Sequence, residues 1–342
     1  MSLAGQTRRI VDETLTAFLD RAVGSLRSSR PSLLPIAEAL AELVLRGGKR
    51  LRPVVAVAGY VAAGGDRPAD AARLVSGLEL LQAYLLVHDD WMDQDATRRG
   101  GPTLHVRLGA RWGRPLGDAA AVLAGDLASA WARVMLLDAP AGFAPEVLLE
   151  AQRVYAAFEA EVVQGQMLDL LALEAGVAVE ELEDLKTGSY TVRGPLRLGA
   201  ALAGAGLDLQ EGLAAFGRPV GRAFQIRDDL LGLFGDPART GKAVGQDLRA
   251  GKRTWLVDHA LRTESAAERA SLDAVLGKAD APAELVASAI ALLAAGGARA
   301  AAEARVVQLC SDARAVLARL DVTPEGRQEL DELVGSLAQR VT

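Results

Sequence analysis

The chain has 342 residues, half of them hydrophobic, 24% charged and only 4% aromatic, with 38 Lys plus Arg against 44 Asp plus Glu. The net charge of −6 argues against a surface that tracks nucleic acid or an anionic membrane, and the single Cys310 excludes an internal disulfide framework or a multi-cysteine metal site. Only five cations are lysines, Lys49, Lys186, Lys242, Lys252 and Lys278, so the position of each is informative.

Residues 1–30 carry eight charged side chains and no apolar run of signal-peptide type. The longest uncharged apolar stretches, Pro53–Gly65 and Leu285–Ala298, fall short of the ~20 residues that span a bilayer. The expectation is a cytoplasmic chain with no membrane span. Apolar residues recur at helical spacing from the start, as in Val11, Leu15, Phe18, Leu19, Ala22, Val23 and Leu26. The same pattern predicts helices over Val54–Ala63, Ala71–His88, Gly117–Leu137, Pro145–Leu173, Leu196–Ala205, Leu209–Leu233, Lys252–Arg262 and Ala283–Leu320. Breakers such as Gly64-Gly65-Asp66, Gly100-Gly101-Pro102 and Gly296-Gly297 are too short to be domain linkers. The reading is one all-α domain over 1–342.

Chemistry first surfaces where the Ala71–His88 helix closes, at Asp89, Asp90 and Asp93. At i and i+4, Asp89 and Asp93 project from one face, where they repel each other and oppose the helix dipole. A cation would offset both costs. A second acidic pair, Asp228-Asp229, follows the apolar helix through Phe224-Gln225-Ile226-Arg227. Carboxylates offered in ones and twos, with water and phosphate completing the shell, suit octahedral Mg²⁺; a solvated helix end reads the same way.

Basic clusters accompany the acids. Arg46-Gly47-Gly48-Lys49-Arg50-Leu51-Arg52 sets four cations around a glycine pair before an apolar helix, and Arg98-Arg99 lies just past Asp93. Arginine forks and a compact ammonium together suit a diphosphate, although a solubilising loop has the same composition. Between 232 and 254, five glycines surround Lys242 and Lys252. This is no P-loop, because Ala243 stands where Ser or Thr would meet the metal. A loop closing on phosphate and an ordinary connector are both compatible with it. His88, His105 and His259 lack metal-ligand spacing, His88 reads as a helix-packing residue, and Cys310 reads as core.

Taken together, GGKRLRP at 47–53, LLQAYLLVHDDWMDQDATRRGGPT at 80–103, KTG at 186–188 and FQIRDD…GK…GQDL…GK at 224–252 resemble the trans-prenyltransferases, the isoprenyl diphosphate synthases. The motifs span most of the chain in the family's order. The resemblance implies an all-α bundle of many helices around a deep central cavity, and a homodimer. It implies that Asp89 and Asp93 ligate Mg²⁺ with Asp90 in support, and that Asp228 and Asp229 hold a further Mg²⁺, three ions in all. Arg98, Lys186, Lys242 and Lys252 would contact an allylic diphosphate. Lys49, Arg52, Gln82 and Arg99 would hold isopentenyl diphosphate. Thr187 and Gln225 would lie beside the allylic carbon, and Gln166 and Asp169 would form an accessory polar pair.

One departure stands out: the family's second motif is commonly DDxxD, and Gly232 occupies its last position. Tyr84 lies five residues before Asp89, about 7.5 Å along a helix axis, where the family places a bulky floor. With non-aromatic Leu85 beside it, the chain resembles synthases of the twenty-carbon product, with the fifteen-carbon farnesyl product as the alternative. A class I terpene cyclase would share the first motif but has no use for the Lys49 and Arg52 cluster. A non-catalytic partner subunit would have lost more of the motifs.

Overall fold

Helix follows helix in the computed structural model, which describes residues 1–138, 142–171, 179–235, 244–263 and 266–338. The all-α expectation holds: the one strand pair among the described residues is a two-residue hairpin, Thr97–Arg98 against Gly101–Pro102. The helices are α1 (Leu3–Ser29), α2 (Leu34–Leu45), α3 (Leu51–Ala62), α4 (Pro68–Val75), α5 (Gly77–Met92), α6 (Leu104–Trp112), α7 (Arg114–Leu137) and α8 (Pro145–Leu170). They continue as α9 (Val179–Glu183), α10 (Gly194–Leu202), α11 (Leu207–Phe234), α12 (Gln246–Arg249), α13 (Trp255–Thr263), α14 (Ala266–Asp273), α15 (Ala283–Ala295), α16 (Ala298–Leu317) and α17 (Pro324–Ala338). Packing divides the chain into two compact units. One comprises Met1–Tyr155, Pro195–Gln210 and Val322–Glu329; the other comprises Ala156–Gly194, Glu211–Asp321 and Leu330–Thr342.

In the first unit, α5 and α6 both lie along α7. The α7 face they cover is almost all alanine, with Ala120, Ala121, Ala124, Ala128 and Ala132 buried. Small side chains let helix backbones approach closely, which suits a chain so poor in aromatics. Leu43 of α2, Val87 of α5 and Leu104 and Leu108 of α6 complete a cluster with the α7 alanines. Elsewhere α3 and α10 cross backbone to backbone. A Cβ on Gly59 would stand 2.6 Å from the Leu196 carbonyl oxygen, and one on Gly199 would overlap the Ala56 carbonyl.

Two expected helices are each broken. The Ala71–His88 segment divides at Ser76, whose hydroxyl donates to the Ala72 carbonyl (2.8 Å). Gly77 then opens α5 with its missing Cβ 2.6 Å from the Ala132 carbonyl oxygen of α7. The Ala283–Leu320 segment bends by 57° between α15 and α16, at Gly296-Gly297, with Gly297 at φ +90°. Helix α7 also departs from the sequence reading. Although Asp118, Asp126 and Arg133 interrupt it, α7 is 24 residues long with a mean hydropathy of 1.5 over its most apolar stretch, long and apolar enough to cross a membrane by those criteria. Half of that stretch is buried within the protein. Leu116, Leu123, Val134 and Leu137 are its exposed large apolar side chains.

In the second unit, α9 widens into a ten-residue π-helical segment, Asp184–Arg193. The Gly194 N–H donates back to Ser189, five residues earlier, and the Ser189 hydroxyl donates to the Leu185 carbonyl (2.5 Å). Glycines let this wide segment pack against its neighbours. A Cβ on Gly165 of α8 would overlap the Lys186 backbone, and one on Gly221 of α11 would stand 3.0 Å from the Gly188 Cα. Arg193 pins the segment's end through Glu161 (2.9 Å) and Asp184 (3.3 Å).

Candidate active site

The first acidic motif sits on the last turn of α5. Asp89 and Asp90 are helical, and Asp93 is the C-cap residue, its N–H bonded to the Asp89 carbonyl (2.8 Å). Asp90 is buried and accepts from Arg98 Nε at 2.7 Å and from Nη2, while Arg98 also meets Asp95 (3.1 Å). Asp93 is exposed and Asp89 half-buried. Burial pushes the Asp90 carboxyl up to about 6 against the pull of the Arg98 hydrogen bond. Its Oδ2 has no hydrogen-bond partner. Arg98 is thus delivered to the motif by the hairpin and held there by two acids.

The hairpin and the glycine-rich loop grip one another. Arg46 Nη1 donates to the Pro102 carbonyl (3.2 Å), and Arg99 Nη1 donates back to the Gly47 carbonyl (2.6 Å). Arg50 and Arg99 both adopt left-handed backbone, at φ +48° and +51°. This conformation costs roughly 1–2 kcal/mol outside glycine, so surrounding contacts must hold it. For Arg50 they do. It is 3% exposed and donates to Glu79 on α5 (2.8 Å), Asp12 on α1 (2.8 Å) and the Val44 carbonyl (3.2 Å). With Arg50 turned inward, Lys49 is left exposed and Arg52 lies buried on the first turn of α3. Gln82 is half-buried on α5. Burial lowers the Arg99 pKa, and the neighbouring Arg50, Arg52 and Arg98 lower it further against Glu79. Arg99 thus carries positive charge against three neighbouring guanidiniums, which favours an anion beside it, whereas Arg50 and Arg98 are already paired with acids.

In the second unit, Lys186 and Thr187 lie half-buried on the π-helical segment, and Lys186 Nζ pairs with Asp169 of α8. The Gln166 Nε2 nearby in sequence is buried without a hydrogen-bond partner. On α11, Gln225 Nε2 donates to Asp229 Oδ1 (2.8 Å), whereas Asp229 Oδ2 is buried and unpartnered. Asp228 is exposed. Burial, then the nearby Glu183, hold the Asp229 carboxyl well above its usual range. Lys252 lies half-buried, its N–H on the Asp247 carbonyl (2.9 Å). Lys242 lies outside the described residues. Among the described residues no three His, Cys, Asp or Glu side chains converge tightly enough to hold a metal unaided. Within each unit the donors fit Mg²⁺ in kind: they are carboxylates, and Asp90 in the first unit and Asp229 in the second each keep a buried oxygen without a partner.

On α5, Tyr84 and Leu85 are half-buried, with the Tyr84 ring edge-on to His88 at 4.8 Å. His88 donates from Nε2 to the Val122 carbonyl (2.9 Å), in keeping with its expected packing role. Sequence reasoning missed three acids. Glu79 was the one charge inside the apolar run GLELLQAYLL, which signals a buried partner. Glu183 carried no comparable signal, whereas Asp247 stood within the GQDL motif without being given a role.

The polyprenyl synthetase profile matches residues 35–293. A geranylfarnesyl diphosphate synthase of Aeropyrum pernix is 34% identical over 331 residues, covering 95% of this chain and 99% of that protein. A (2E,6E)-farnesyl diphosphate synthase of Mycobacterium bovis is 35% identical, covering 86% and 80%. Among solved structures, a geranylgeranyl pyrophosphate synthase from Corynebacterium glutamicum, complexed with isoprenyl diphosphate and magnesium, superposes with a TM-score of 0.91 at 35% identity, over 99% of this chain and 100% of that one. The two acidic motifs, the locked basic loop and these likenesses lead to one conclusion: the chain belongs to the polyprenyl synthetase family of trans-isoprenyl diphosphate synthases and is a short-chain prenyltransferase.

Proposed function

We propose that the protein condenses an allylic diphosphate with isopentenyl diphosphate to make geranylgeranyl diphosphate. The observation that carries this reading is Arg52 and Arg99, whose guanidiniums lie close enough to feel each other's charge beside the exposed Lys49; a second diphosphate needs such a group and a cyclase needs none. Lys49, Arg52, Gln82 and Arg99 hold isopentenyl diphosphate. Arg98, Lys186, Lys242 and Lys252 take the allylic diphosphate. Bidentate and point-charge donors fix both substrates in one orientation, so the condensation proceeds as an intramolecular reaction would.

The family uses a divalent metal. Asp89, Asp93 and Asp228, with Asp90 and Asp229 in support, are the residues to hold Mg²⁺, three ions in this proposal. Bound there, the metal would neutralise charge on the departing diphosphate. Thr187 and Gln225 offer oxygen dipoles to the developing allylic cation. The released diphosphate is the base for the final proton, so no histidine is required.

Tyr84 supports the twenty-carbon product as a floor beneath the growing chain. The farnesyl synthase likeness at 35% identity favours the fifteen-carbon product as the second reading. The exposed Leu116, Leu123, Val134 and Leu137 on α7 support a homodimer that buries them, and the reading includes a single catalytic domain over 1–342 working in the cytoplasm. The deciding assay supplies dimethylallyl, geranyl and farnesyl diphosphates separately with isopentenyl diphosphate and Mg²⁺ and reads product masses. A twenty-carbon diphosphate from each primer is expected. No condensation from any primer would overturn the reading.

A further inference from the structure

Arg46 caps the C-terminus of α2 and lays its side chain on the hairpin. Its Nη1 donates to the Pro102 carbonyl (3.2 Å) and to the Arg98 carbonyl (3.5 Å), so one nitrogen ties both strands together. The guanidinium lies over Gly101, where a Cβ would stand 2.4 Å from Nη1 and 2.5 Å from Cζ. Glu42, one turn back on α2, accepts from Nε (3.2 Å) and Nη2 (2.7 Å) with Oε1, while its Oε2 accepts from Arg107 of α6. The planar fork is thereby fixed in one orientation. All three of its nitrogens are committed to Glu42 and the two carbonyls, so Arg46 acts through the hairpin and not on phosphate. Arg99 returns the grip, donating from Nη1 to the Gly47 carbonyl (2.6 Å). Strands of two residues hold few hydrogen bonds of their own, and this hairpin also carries Arg99 at φ +51°. Its shape is therefore set from outside.

We infer that Arg46 is a positioning residue for both diphosphates: it fixes the Arg98 backbone and joins the hairpin to the Lys49 loop, and Gly101 is the residue that makes room for it. The two substrate-binding segments then keep one spacing, because each is fastened to the other by an arginine from the opposite side. This inference rests on the proposal that Arg98 takes the allylic diphosphate while Lys49 and Arg99 hold isopentenyl diphosphate.

The test is steady-state kinetics of the full chain with Mg²⁺, geranyl diphosphate and isopentenyl diphosphate, reading the KM of each substrate, with urea midpoints alongside. Arg46→Ala is expected to raise both KM values about tenfold, the effect of losing one charge-assisted hydrogen bond, with kcat less affected. Lys49→Ala should raise the isopentenyl diphosphate KM alone. Gly101→Ala keeps every charge, and its methyl meets only the movable end of a side chain, so the fold survives while both KM values rise as in Arg46→Ala. The double variant should stay within about twofold of the worse single one, because both substitutions open the same clasp. If Arg46→Ala misfolds, Gly101→Ala decides alone. Parent-like KM values in Gly101→Ala would leave only the charge of Arg46 and overturn the inference. Parent-like values in Arg46→Ala, with Lys49→Ala impaired, would overturn it while sparing the proposed substrate sites. Parent-like values in both Arg46→Ala and Lys49→Ala would overturn the inference and those sites together.

Discussion

Removing Glu79 tests whether the basic loop is held from beneath. Arg50 and Glu79 are 3% and 2% exposed at their side chains and meet at 2.8 Å. The remaining carboxylate partner of Arg50, Asp12, is 57% exposed and screened by water, so it replaces little of what Glu79 supplies. Breaking one side of a buried pair typically costs about 3–5 kcal/mol, and about 1.4 kcal/mol is tenfold in an equilibrium constant. Glu79→Ala should therefore raise the unfolding equilibrium constant by at least about a hundredfold. Pairing Arg50→Met with Glu79→Leu should recover much of that loss, because no lone charge is left buried. Urea unfolding at pH 7, followed by circular dichroism and tryptophan fluorescence, measures both. The loop also sets the direction of Lys49 and Arg52, so isopentenyl diphosphate KM should rise in Glu79→Ala with kcat less affected. A loss below about 0.5 kcal/mol in Glu79→Ala, or a double variant no more stable than the single one, would refute the reasoning.

Gly199→Ala gains up to about 1 kcal/mol of helix propensity, but its Cβ meets the Ala56 carbonyl of a neighbouring helix. Because backbone cannot rotate aside, we expect a net loss of about 3 kcal/mol in urea, and equal or greater stability would contradict the crossing. Burial, reinforced by Glu180, pushes the Glu183 carboxyl up to about 8 against an ordinary 4.5. The folded state therefore binds this proton more tightly than the unfolded chain, and stability falls as pH rises from about 4.5 to about 8. In metal-free buffer, Glu183→Gln should gain on the parent across that window by a few kcal/mol in order of magnitude; a pH-independent difference would be the wrong result. Tyr84→Ala should lengthen the products seen by mass spectrometry, and an unchanged distribution would remove Tyr84 as the floor. Leu123→Glu on the exposed α7 stripe should shift sedimentation from dimer toward monomer, while monomeric parent protein would contradict the proposed assembly.

Much of this was legible because helix periodicity is a local property. Ala- and Leu-rich runs announced their helices, and Gly296-Gly297 marked a bend the structure contains. The division at Ser76 was hidden, because it depends on where Gly77 meets Ala132, fifty-five residues later. In the basic loop, Lys49 and Arg50 were adjacent cations with the same apparent role. Only the fold turns Arg50 inward toward Glu79 and leaves Lys49 exposed. The acids behaved similarly. Asp89, Asp90 and Asp93 could be picked out by spacing, whereas Glu183, the acid that most raises the Asp229 carboxyl, became visible only in the fold. Pairing at long range escaped the sequence, because no local pattern encodes it.

The π-helical turn that carries Lys186 and Thr187 makes chain length itself a determinant of the site. A widened helix holds more residues per turn than an α-helix, so it absorbs surplus chain without changing where its ends are fixed. Deleting one residue between 184 and 193 would let the segment rewind toward α-helix between its fixed ends, so that residues within it shift by up to about 100°. Lys186 would then change its phase relative to Asp169 even though neither residue had been substituted. A single-codon deletion here would thus do what a mutated lysine does. The segment should accordingly tolerate many side-chain replacements on its outer face and hardly any insertion or deletion.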